Sequence, residues 1–358
     1  MDPATLRAEF PVLEQFAYLN AGTCGPLPRS AVTAVADVLA LASEQGRGSA
    51  YFEAMLAQRT RLREAYASLL GAAAEDVALT TSTSEGIVRV LGALKLEPGD
   101  EVLTSVEEHP GLQGPLAAAR DLRGITIRTV PFAQIADAAG PQTKLVACSH
   151  VSWVNGRVVS GIRELGDVPV LLDGAQGAGA VPIDVATLGC AFYAGSGQKW
   201  LCGPVGSGML WISPRWSERL PAPGPTYMNL EVPNDGLDAV PRADAARHDT
   251  PAQSLESNAA ALAALTVLGR AGWAAVHERA AGLAAQLADA LTQRGREVAP
   301  RDRTTLVSWK DPDPAATRTL LAAAGVIIRD LPGTGLLRAS VGAWNDDADL
   351  DRLLSALP

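Results

Sequence analysis

The sequence predicts an α/β fold, in which a large domain with a mostly parallel sheet is joined to a smaller C-terminal α/β domain. Helical patterns alternate with short β-branched runs between about Leu69 and Ile212. Several of these runs end in Ser, Thr, Gly or Asp, as strands do where they meet a loop. Examples of the predicted strands of the large domain are Asp76–Thr81, Glu101–Thr104, Thr126–Val130, Leu145–Ser149, Val168–Asp173 and Gly208–Ile212.

A stretch without periodicity separates the two predicted domains. Residues 221–251 are rich in Pro, Asn, Asp and Gly, which is typical of a domain connection or a subunit-contacting loop. Long Ala- and Leu-rich helical patterns follow it at Ser257–Ala271 and Trp273–Gln293, and then strand candidates at Val326–Ile328 and Leu336–Ser340. We therefore predict a large domain over residues 15–235 and a small domain made of residues 1–14 and 236–358.

The bulk composition narrows the class of protein. The chain has 358 residues, of which 47% are hydrophobic and 19% charged, as in soluble globular proteins. The formal net charge of −9 argues against a nucleic-acid surface, which needs clustered Lys and Arg. No run reaches the ~18 uncharged apolar residues of a membrane helix, and the first residues lack the pattern of a signal peptide. The four cysteines show no paired metal spacing. We expect a cytoplasmic protein without a metal site.

Lys199 is the first candidate for chemistry. It lies among glycines after a strand, and apolar and aromatic residues flank it on both sides. Burial lowers the pKa of a lysine towards the neutral amine, and a neutral amine attacks an aldehyde to form a Schiff base. The alternative is a solvated loop lysine without a chemical role.

Asp173 ends the apolar strand Val168–Asp173. A carboxylate there either caps the next turn or pairs with a protonated pyridine nitrogen, which then accepts electrons from a carbanion. Gly174, Gly177 and Gly179 follow it in a pattern similar to a dinucleotide loop. We reject that interpretation because Pro182 and Asp184 lie where the required helix should run.

A hydroxyl-rich turn and a histidine complete the pattern. Residues 80–86 follow a strand and open a helical pattern, so free backbone N–H groups and hydroxyls there suit a phosphate. The alternative is an ordinary helix start with Ser84 or Thr83 as the N-cap. His109 follows the strand Glu101–Thr104, and its flat ring is either structural or able to stack on an aromatic cofactor.

The order of these motifs resembles the class V aminotransferases, fold-type I enzymes dependent on pyridoxal 5′-phosphate (PLP). This group includes cysteine desulfurases, cystine C–S lyases and isopenicillin N epimerase-like proteins. The resemblance begins at Tyr18-Leu-Asn-Ala-Gly-Thr-Cys-Gly-Pro-Leu-Pro28 and runs to Leu337-Arg-Ala-Ser-Val-Gly-Ala-Trp-Asn345. It implies a fold-type I PLP-dependent transferase fold and a homodimer with the active site at the subunit interface.

The resemblance also implies roles for individual residues. Lys199 would hold the cofactor and act as general acid–base, Asp173 would pair with the pyridine nitrogen, and His109 would stack on the ring. Gln176 would contact the ring 3-hydroxyl, and Arg338 would bind the substrate α-carboxylate, unless it is only a surface charge at a strand end. The phosphate ligands would be Thr83, Ser84, Ser196 and Gln198, with Thr250 as a candidate to reach the partner subunit's phosphate; Asn20, Ala21, Gly22 and Trp153 would line the substrate side.

Two positions depart from the pattern of many relatives. Gln198 stands where a histidine often precedes the lysine, so it can donate a hydrogen bond but carries no charge. Trp153 replaces the usual asparagine and makes the pocket wall bulky and apolar, which favours lyase-like relatives.

The resemblance leads to a cysteine- or cystine-type C–S lyase that acts by β-elimination on a small amino acid. No cysteine lies between Val326 and Arg338, where a desulfurase carries its reactive thiol, and Cys24 is interpreted as a small buried thiol. Transamination and epimerisation use the same carbanion and stay open, although we find no second arginine motif for a dicarboxylate. A PLP-binding protein without catalysis is the alternative from another class.

Overall fold

The computed structural model describes residues 1–358 and is built around one seven-stranded sheet. Its strand order is β2-β8-β7-β6-β5-β3-β4, and only β8 runs antiparallel to its neighbours. A three-stranded antiparallel sheet, β11-β12-β9, and a parallel pair, β1-β10, lie outside it. The strands are β1 Ala17–Tyr18, β2 Val77–Thr80, β3 Glu101–Ser105, β4 Thr126–Val130, β5 Thr143–Ser149, β6 Val170–Asp173, β7 Phe192–Ser196, β8 Gly208–Ile212, β9 Leu306–Lys310, β10 Val326–Ile327, β11 Arg329–Leu331 and β12 Leu336–Ser340.

Twelve α-helices surround these strands, together with several short 3₁₀ turns. Three 3₁₀ turns lie within residues 221–251, where the sequence predicts an irregular connection, and no strand of a sheet passes through that segment. The helices are α1 Pro3–Ala8, α2 Arg29–Gln45, α3 Ser49–Leu70, α4 Thr83–Ala93, α5 Pro110–Arg123, α6 Ile135–Ala138, α7 Val185–Leu188, α8 Pro214–Ser217, α9 Leu255–Ala271, α10 Trp273–Gln293, α11 Pro314–Ala323 and α12 Asp347–Ala356.

The predicted strands are all present, with small differences at their ends. Thr126–Val130, Gly208–Ile212 and Leu336–Ser340 match β4, β8 and β12 residue for residue. The strand predicted at 168–173 begins only at Val170, because Pro169 has no N–H to donate to a ladder. The strand predicted from Asp76 begins at Val77, since Asp76 ends a 3₁₀ turn.

The large sheet is buried on both faces, which explains its continuous apolar strands. Successive residues of a strand point to opposite faces. Leu171 accordingly packs in the cluster that contains Ile87 of α4 and Leu112 of α5, whereas Leu172 packs with Leu62 of α3 on the other face. The helices therefore clamp the sheet and fix the position of the strand ends.

The N-terminal segment joins the C-terminal sheet region. Residues Ala17 and Tyr18 of β1 pair with Val326 and Ile327 of β10, and Asn20 forms an isolated bridge with Ser340 at the end of β12. This pairing holds residues 17–20 against the strand that carries Arg338. The division into 15–235 and the two small-domain segments stays a prediction.

None of the twelve helices, taken singly, combines the length and the apolar composition of a membrane span. Only α9 and α10 taken together pass on length and composition, and they are bent by 81° at their junction.

Candidate active site

The predicted site residues lie where several strands of the large sheet end. Thr83 follows β2, His109 follows β3, Asp173 is the last residue of β6 and Ser196 is the last residue of β7. Because β2, β3, β6 and β7 run in the same direction, their carboxyl ends share one edge of the sheet. Ligands of such sheets bind outside that edge. The loops that follow these strand ends determine which ligand can bind at this edge of the sheet.

Lys199 lies in the tight loop between β7 and β8. The N–H of Gly25 donates to the carbonyl oxygen of Gln198 at 2.8 Å, so the N-terminal segment lies directly on this loop. A Cβ at Gly25 would lie 2.0 Å from the carbonyl oxygen of Lys199, so only glycine permits this approach. Burial lowers the pKa of Lys199 to about 8, and Asp173 opposes the shift. A larger neutral fraction makes this amine a better nucleophile near neutral pH.

Asp173 is buried, with 5% of its surface exposed. Its Oδ1 accepts a hydrogen bond from the N–H of Ala175 at 2.9 Å, so the carboxylate does cap the following turn. No protein group donates to Oδ2. Burial raises the pKa of Asp173, and Lys199 works against that rise. The capping role thus leaves one carboxylate oxygen for a cationic ligand.

The glycine-rich segment after Asp173 forms turns and no helix. The first helix beyond it is the four-residue α7, which begins at Val185. This confirms the rejection of a dinucleotide loop at residues 174–179.

The hydroxyl-rich turn opens α4, but its N-cap differs from the prediction. Ser82 is the N-cap, because its extended backbone lets Oγ accept the N–H of Glu85 at 3.1 Å. The alternative interpretation of Thr83 or Ser84 as the cap is therefore wrong. Both residues lie in the first turn of the helix, where backbone N–H groups have no partner within the helix.

Three buried polar atoms near this turn and the Lys199 loop have no hydrogen-bond partner: Thr83 Oγ1, Ser196 Oγ and Gln198 Oε1. Leaving a buried polar atom unpaired costs about 1–3 kcal/mol, so a ligand is expected to satisfy such atoms. The two hydroxyls can donate, and the Gln198 amide donates when it is turned about its last torsion. Donors at a helix N-terminus fit a phosphate group. The residues present thus fit a phosphate-bearing cofactor.

His109 caps α5, and its Nδ1 accepts the N–H of Gly111 at 3.0 Å. A Cβ at Gly111 would lie 2.7 Å from Ser84 Oγ, which places the starts of α4 and α5 against each other. Burial, followed by the charges of Lys199, Arg329 and Arg338, lowers the pKa of His109 to about 4. The imidazole is therefore neutral near pH 7, which suits a ring that stacks on another ring.

Gln176 connects the site to the N-terminal segment. Its Nε2 donates to the carbonyl oxygen of Gly22 at 2.8 Å, and its Oε1 accepts the indole N–H of Trp200 at 3.0 Å. Both ends of the amide are thus engaged, and its orientation is fixed. The contact of Gln176 with a ring 3-hydroxyl stays a prediction.

Arg338 is fully buried and has no carboxylate partner. Its Nη1 donates to the carbonyl oxygen of Trp153 at 2.7 Å, whereas Nε and Nη2 make no hydrogen bond. A Cβ at Gly22 would lie 2.9 Å from Nη2 and 2.7 Å from Ser340 Oγ, itself unpartnered. Burial, and secondarily Arg329, lowers the pKa of Arg338 to about 9. A buried guanidinium with free N–H groups fits a carboxylate ligand.

The remaining predicted site residues contact other parts of the protein. Asn20 accepts the hydroxyl of Thr23 on its Oδ1, and Ala21 is buried beside it. Trp153 meets the ring of His109 edge-on, with 5.1 Å between the ring centroids. Thr250 donates its hydroxyl to Glu85 in the first turn of α4, so within one chain that hydroxyl is already used. Its approach to a partner subunit stays a prediction.

Arg329 is a functional candidate that sequence analysis missed. It lies on β11 directly opposite Arg338 on β12, and its Cζ is 5.9 Å from the centroid of the Trp153 ring. No carboxylate forms an ion pair with Arg329, whereas its neighbour Asp330 pairs with Arg318. The sequence pattern predicts only β12 of this hairpin, so Arg329 is not recognisable from it as a second arginine. Recognising β11 would have placed residue 329 opposite residue 338.

The fold and the site define a class of protein: an α/β protein whose strand ends hold a lysine, a buried carboxylate, a phosphate-type cradle and a buried arginine. The chain belongs to the aminotransferase class-V family, whose model matches residues 17–353.

Two curated relatives and two solved structures show the range of that family. The chain is 32% identical over 225 residues to a probable cysteine desulfurase of Methanothermobacter thermautotrophicus, covering 58% of the chain and 56% of the relative. It is 31% identical over 218 residues to isopenicillin N epimerase of Streptomyces clavuligerus, covering 56% and 54%. The chain thus spans about half the length of these relatives.

The solved structures match over nearly their whole length. One is a C-DES mutant with glycine covalently linked to the PLP cofactor, with a TM-score of 0.90, 26% identity and 98% coverage of both chains. The other is the cystine C–S lyase C-DES with its reaction product cysteine persulfide, with a TM-score of 0.89, 27% identity and coverage of 97% and 98%. This similarity confirms the predicted fold class.

Proposed function

We propose that this chain is a PLP-dependent C–S lyase that acts by β-elimination on a small sulfur-containing amino acid. The proposal rests on two sets of buried hydrogen-bond donors that have no partner within the protein. One set, Thr83 and Ser196, suits a phosphate, and the other, Arg338, suits a carboxylate. The charge of Asp173 raises the pKa of Lys199 and the charge of Arg338 lowers it. A Cβ at Gly22 would lie 2.9 Å from Arg338 Nη2 and 3.0 Å from Oε1 of Gln176, which follows β6, so Arg338 lies close to the loop after Asp173.

Thr83, Ser84, Ser196 and Gln198 would hold the phosphate of the cofactor, together with the N-terminus of α4. Asp173 would pair with the ring nitrogen through its free Oδ2, and the neutral ring of His109 would cover one ring face. When bound, PLP supplies an electron sink that stabilises negative charge at the substrate Cα. The protein residues supply binding, orientation and proton transfer.

Lys199 is the residue we assign to proton transfer. Its Nζ would remove the proton from the substrate Cα and pass it to the departing sulfur group, and its lowered pKa suits both the uptake and the release of that proton. Arg338 would hold the α-carboxylate through Nε and Nη2, the two donors left free by the bond to Trp153. Loss of the Cα proton and cleavage of the Cβ–S bond would release the sulfur group, and the remaining enamine would hydrolyse to pyruvate and ammonia.

The position of Arg329 favours a substrate that carries a second anionic group. Its guanidinium stands over Trp153 on the strand next to Arg338 and has no carboxylate partner of its own. An amino acid disulfide such as cystine has a carboxylate at each end, one for each arginine. The absence of a cysteine between Val326 and Arg338 further favours release of the sulfur over its transfer to an enzyme thiol on that segment.

Product analysis tests this proposal. The cofactor-loaded protein should form pyruvate and ammonia from cystine without an added keto acid. Arg329→Gln should raise KM for cystine about tenfold or more, since a charge-assisted hydrogen bond contributes about 1.5–3 kcal/mol. The same substitution should change KM for cysteine little. Arg318→Gln is the matched control, because Arg318 already pairs with Asp330.

Other outcomes would support the remaining candidates. Amino-group transfer to a keto acid without pyruvate from cystine would identify an aminotransferase, and loss of chirality at Cα alone would identify an epimerase, the activity named for one relative. A protein that binds PLP but changes no amino acid would support the binding-protein alternative. Pyruvate formation distinguishes the lyase from all three.

We also propose a homodimer. Val106 and Val205 lie beside the predicted site, next to the His109 turn and the Lys199 loop, and are 58% and 76% exposed. Val32, Leu39 and Phe52 add exposed apolar side chains on α2 and α3. Val205→Asp should shift the protein towards monomer in sedimentation velocity, while Leu122→Asp on the outer face of α5 should not. A wild-type monomer that turns over substrate would contradict the dimer. The cytoplasmic location stays a prediction.

A further inference from the structure

Glu108 is a second buried carboxyl group at the same edge of the large sheet. It directly precedes His109 and is only 2% exposed. The hydroxyl of Ser105 donates to its Oε1 at 2.7 Å. The N–H of Ser149 donates to its Oε2 at 3.0 Å, and the Ser149 hydroxyl contacts the same oxygen. Glu108 therefore ties the turn that carries His109 to the last residue of β5.

The contacts of Glu108 lead on to Asp173. Ser149 of β5 is paired in register with Asp173 of β6, so the strand end held by Glu108 is the direct neighbour of the proposed cofactor carboxylate. The N–H of His150 donates to the carbonyl oxygen of Asp173 at 2.9 Å and reinforces this junction. The position of Glu108 thus affects both the His109 turn and the Asp173 strand.

No cation contacts Glu108 to offset a negative charge. No arginine or lysine forms an ion pair with it, and its hydrogen-bond partners are two serines. The titratable groups around it are Asp173 at the end of β6 and Cys148 in β5. Two buried carboxyl groups that share such a region cannot both ionise cheaply. Burial, which the serine hydrogen bonds only partly offset, raises the pKa of Glu108 to about 7, and Asp173 contributes to the rise.

We propose that Glu108 is a positioning residue whose neutral form holds the His109 turn on β5 and leaves Asp173 as the single buried anion of the site. A neutral carboxyl group can accept the N–H of Ser149 and donate its own proton to a serine hydroxyl, so every contact is satisfied. An ionised Glu108 still accepts the contacts from Ser105 and Ser149, but its charge is buried without a cation and repels Asp173. Because Ser149 is paired with Asp173, this repulsion acts on the strand end that holds Glu108, and ionisation therefore moves the His109 turn relative to the cofactor ring. The inference rests on the proposed function only for the position of the ring.

The sign of the pH effect follows from the raised pKa. The folded protein keeps Glu108 neutral up to about pH 7, whereas the unfolded chain ionises it near its ordinary value of 4.5. Ionisation costs folding free energy in the native state. The destabilising contribution of Glu108 is absent below the unfolded pKa, grows as the pH rises between the two pKa values, and is complete above the folded pKa.

The test compares the wild-type holoenzyme with Glu108→Gln and Glu108→Ala. Glutamine keeps the shape and an acceptor for the Ser149 N–H but cannot ionise. Glu107→Gln is the matched control, since its side chain is adjacent and makes no hydrogen bond. The readouts are the visible circular dichroism of the bound cofactor from about pH 5.5 to about pH 9 and the melting temperature of the cofactor-free protein over the same range.

The wild type and Glu107→Gln should show a change in the cofactor signal with a midpoint near the Glu108 pKa of about 7, and Glu108→Gln should lack it. The melting temperature of Glu108→Gln should rise relative to wild type as the pH increases. Glu108→Ala should alter the cofactor signal at every pH. A cofactor signal in Glu108→Gln that titrates like wild type would overturn the proposal, as would an identical pH dependence of melting. Neither readout depends on turnover. A failure of the Glu108 proposal can therefore be distinguished from a failure of the proposed lyase reaction.

Discussion

Replacing Lys199 with alanine is expected to abolish the visible absorbance of the bound cofactor and to lower turnover by about 10⁴-fold or more. In the proposed reaction Lys199 supplies both the covalent attachment of the cofactor and the base for the Cα proton, and no other lysine is assigned to this edge of the sheet. Burial lowers the pKa of Lys199 against the opposing effect of Asp173, and an exposed lysine lacks this burial. Absorbance spectroscopy and pyruvate formation measure the two losses separately.

Lys310→Ala is the matched control for this substitution. Lys310 is largely exposed and pairs with Glu297 on the surface, so its loss should leave both readouts at the wild-type level. Retained turnover in Lys199→Ala would mean that another residue moves the proton.

Replacing Arg338 with alanine is expected to lower kcat/KM by about 10²–10³-fold while the cofactor stays bound. Removing one partner of a buried charged pair costs about 2–5 kcal/mol, and each 1.36 kcal/mol corresponds to a tenfold change. The effect should appear mainly in KM, because Arg338 is assigned to the substrate carboxylate and not to the cofactor. Arg338→Lys should recover only part of the loss, since lysine lacks the planar fork of guanidinium donors.

The Arg329→Gln variant distinguishes the proposed role of Arg329 from that of Arg338. It should affect cystine and spare cysteine, whereas Arg338→Ala should weaken both substrates. Unchanged KM values in Arg338→Ala would remove the assignment of this residue to the α-carboxylate. Since Arg338 is fully buried, circular dichroism should first confirm that the variant is folded.

The sequence alone predicted the sheet and the residues that end its strands. Strands such as β4 and β8 were predictable because their apolar or alternating residue patterns are typical of β-strands. Lys199 and Asp173 were identified because each stands in a distinct setting at or after a predicted strand, whereas Arg338 was identified through the family resemblance. The family resemblance connected these separate segments into one site.

The sequence did not reveal features that depend on contacts between residues far apart in the chain or on local backbone geometry. Arg329 faces Trp153 only because β11 and β12 form a hairpin, and β11 is a strand of three residues. The N-cap at Ser82 depended on one extended backbone angle within a run of hydroxyl residues. In the sequence Glu108 is an ordinary polar residue of a loop. Its role depends on the hydrogen bond from the N–H of Ser149, which is distant in the chain.

Reduction of the cofactor-loaded protein with borohydride, followed by peptide mass spectrometry, tests the central claim most directly. Borohydride makes the bond between a lysine amine and the cofactor aldehyde permanent, so the modified residue can be located. The account predicts one modified peptide, which contains Lys199, in wild type and none in Lys199→Ala. Modification of a different lysine, or a reduced adduct that persists in Lys199→Ala, would contradict it.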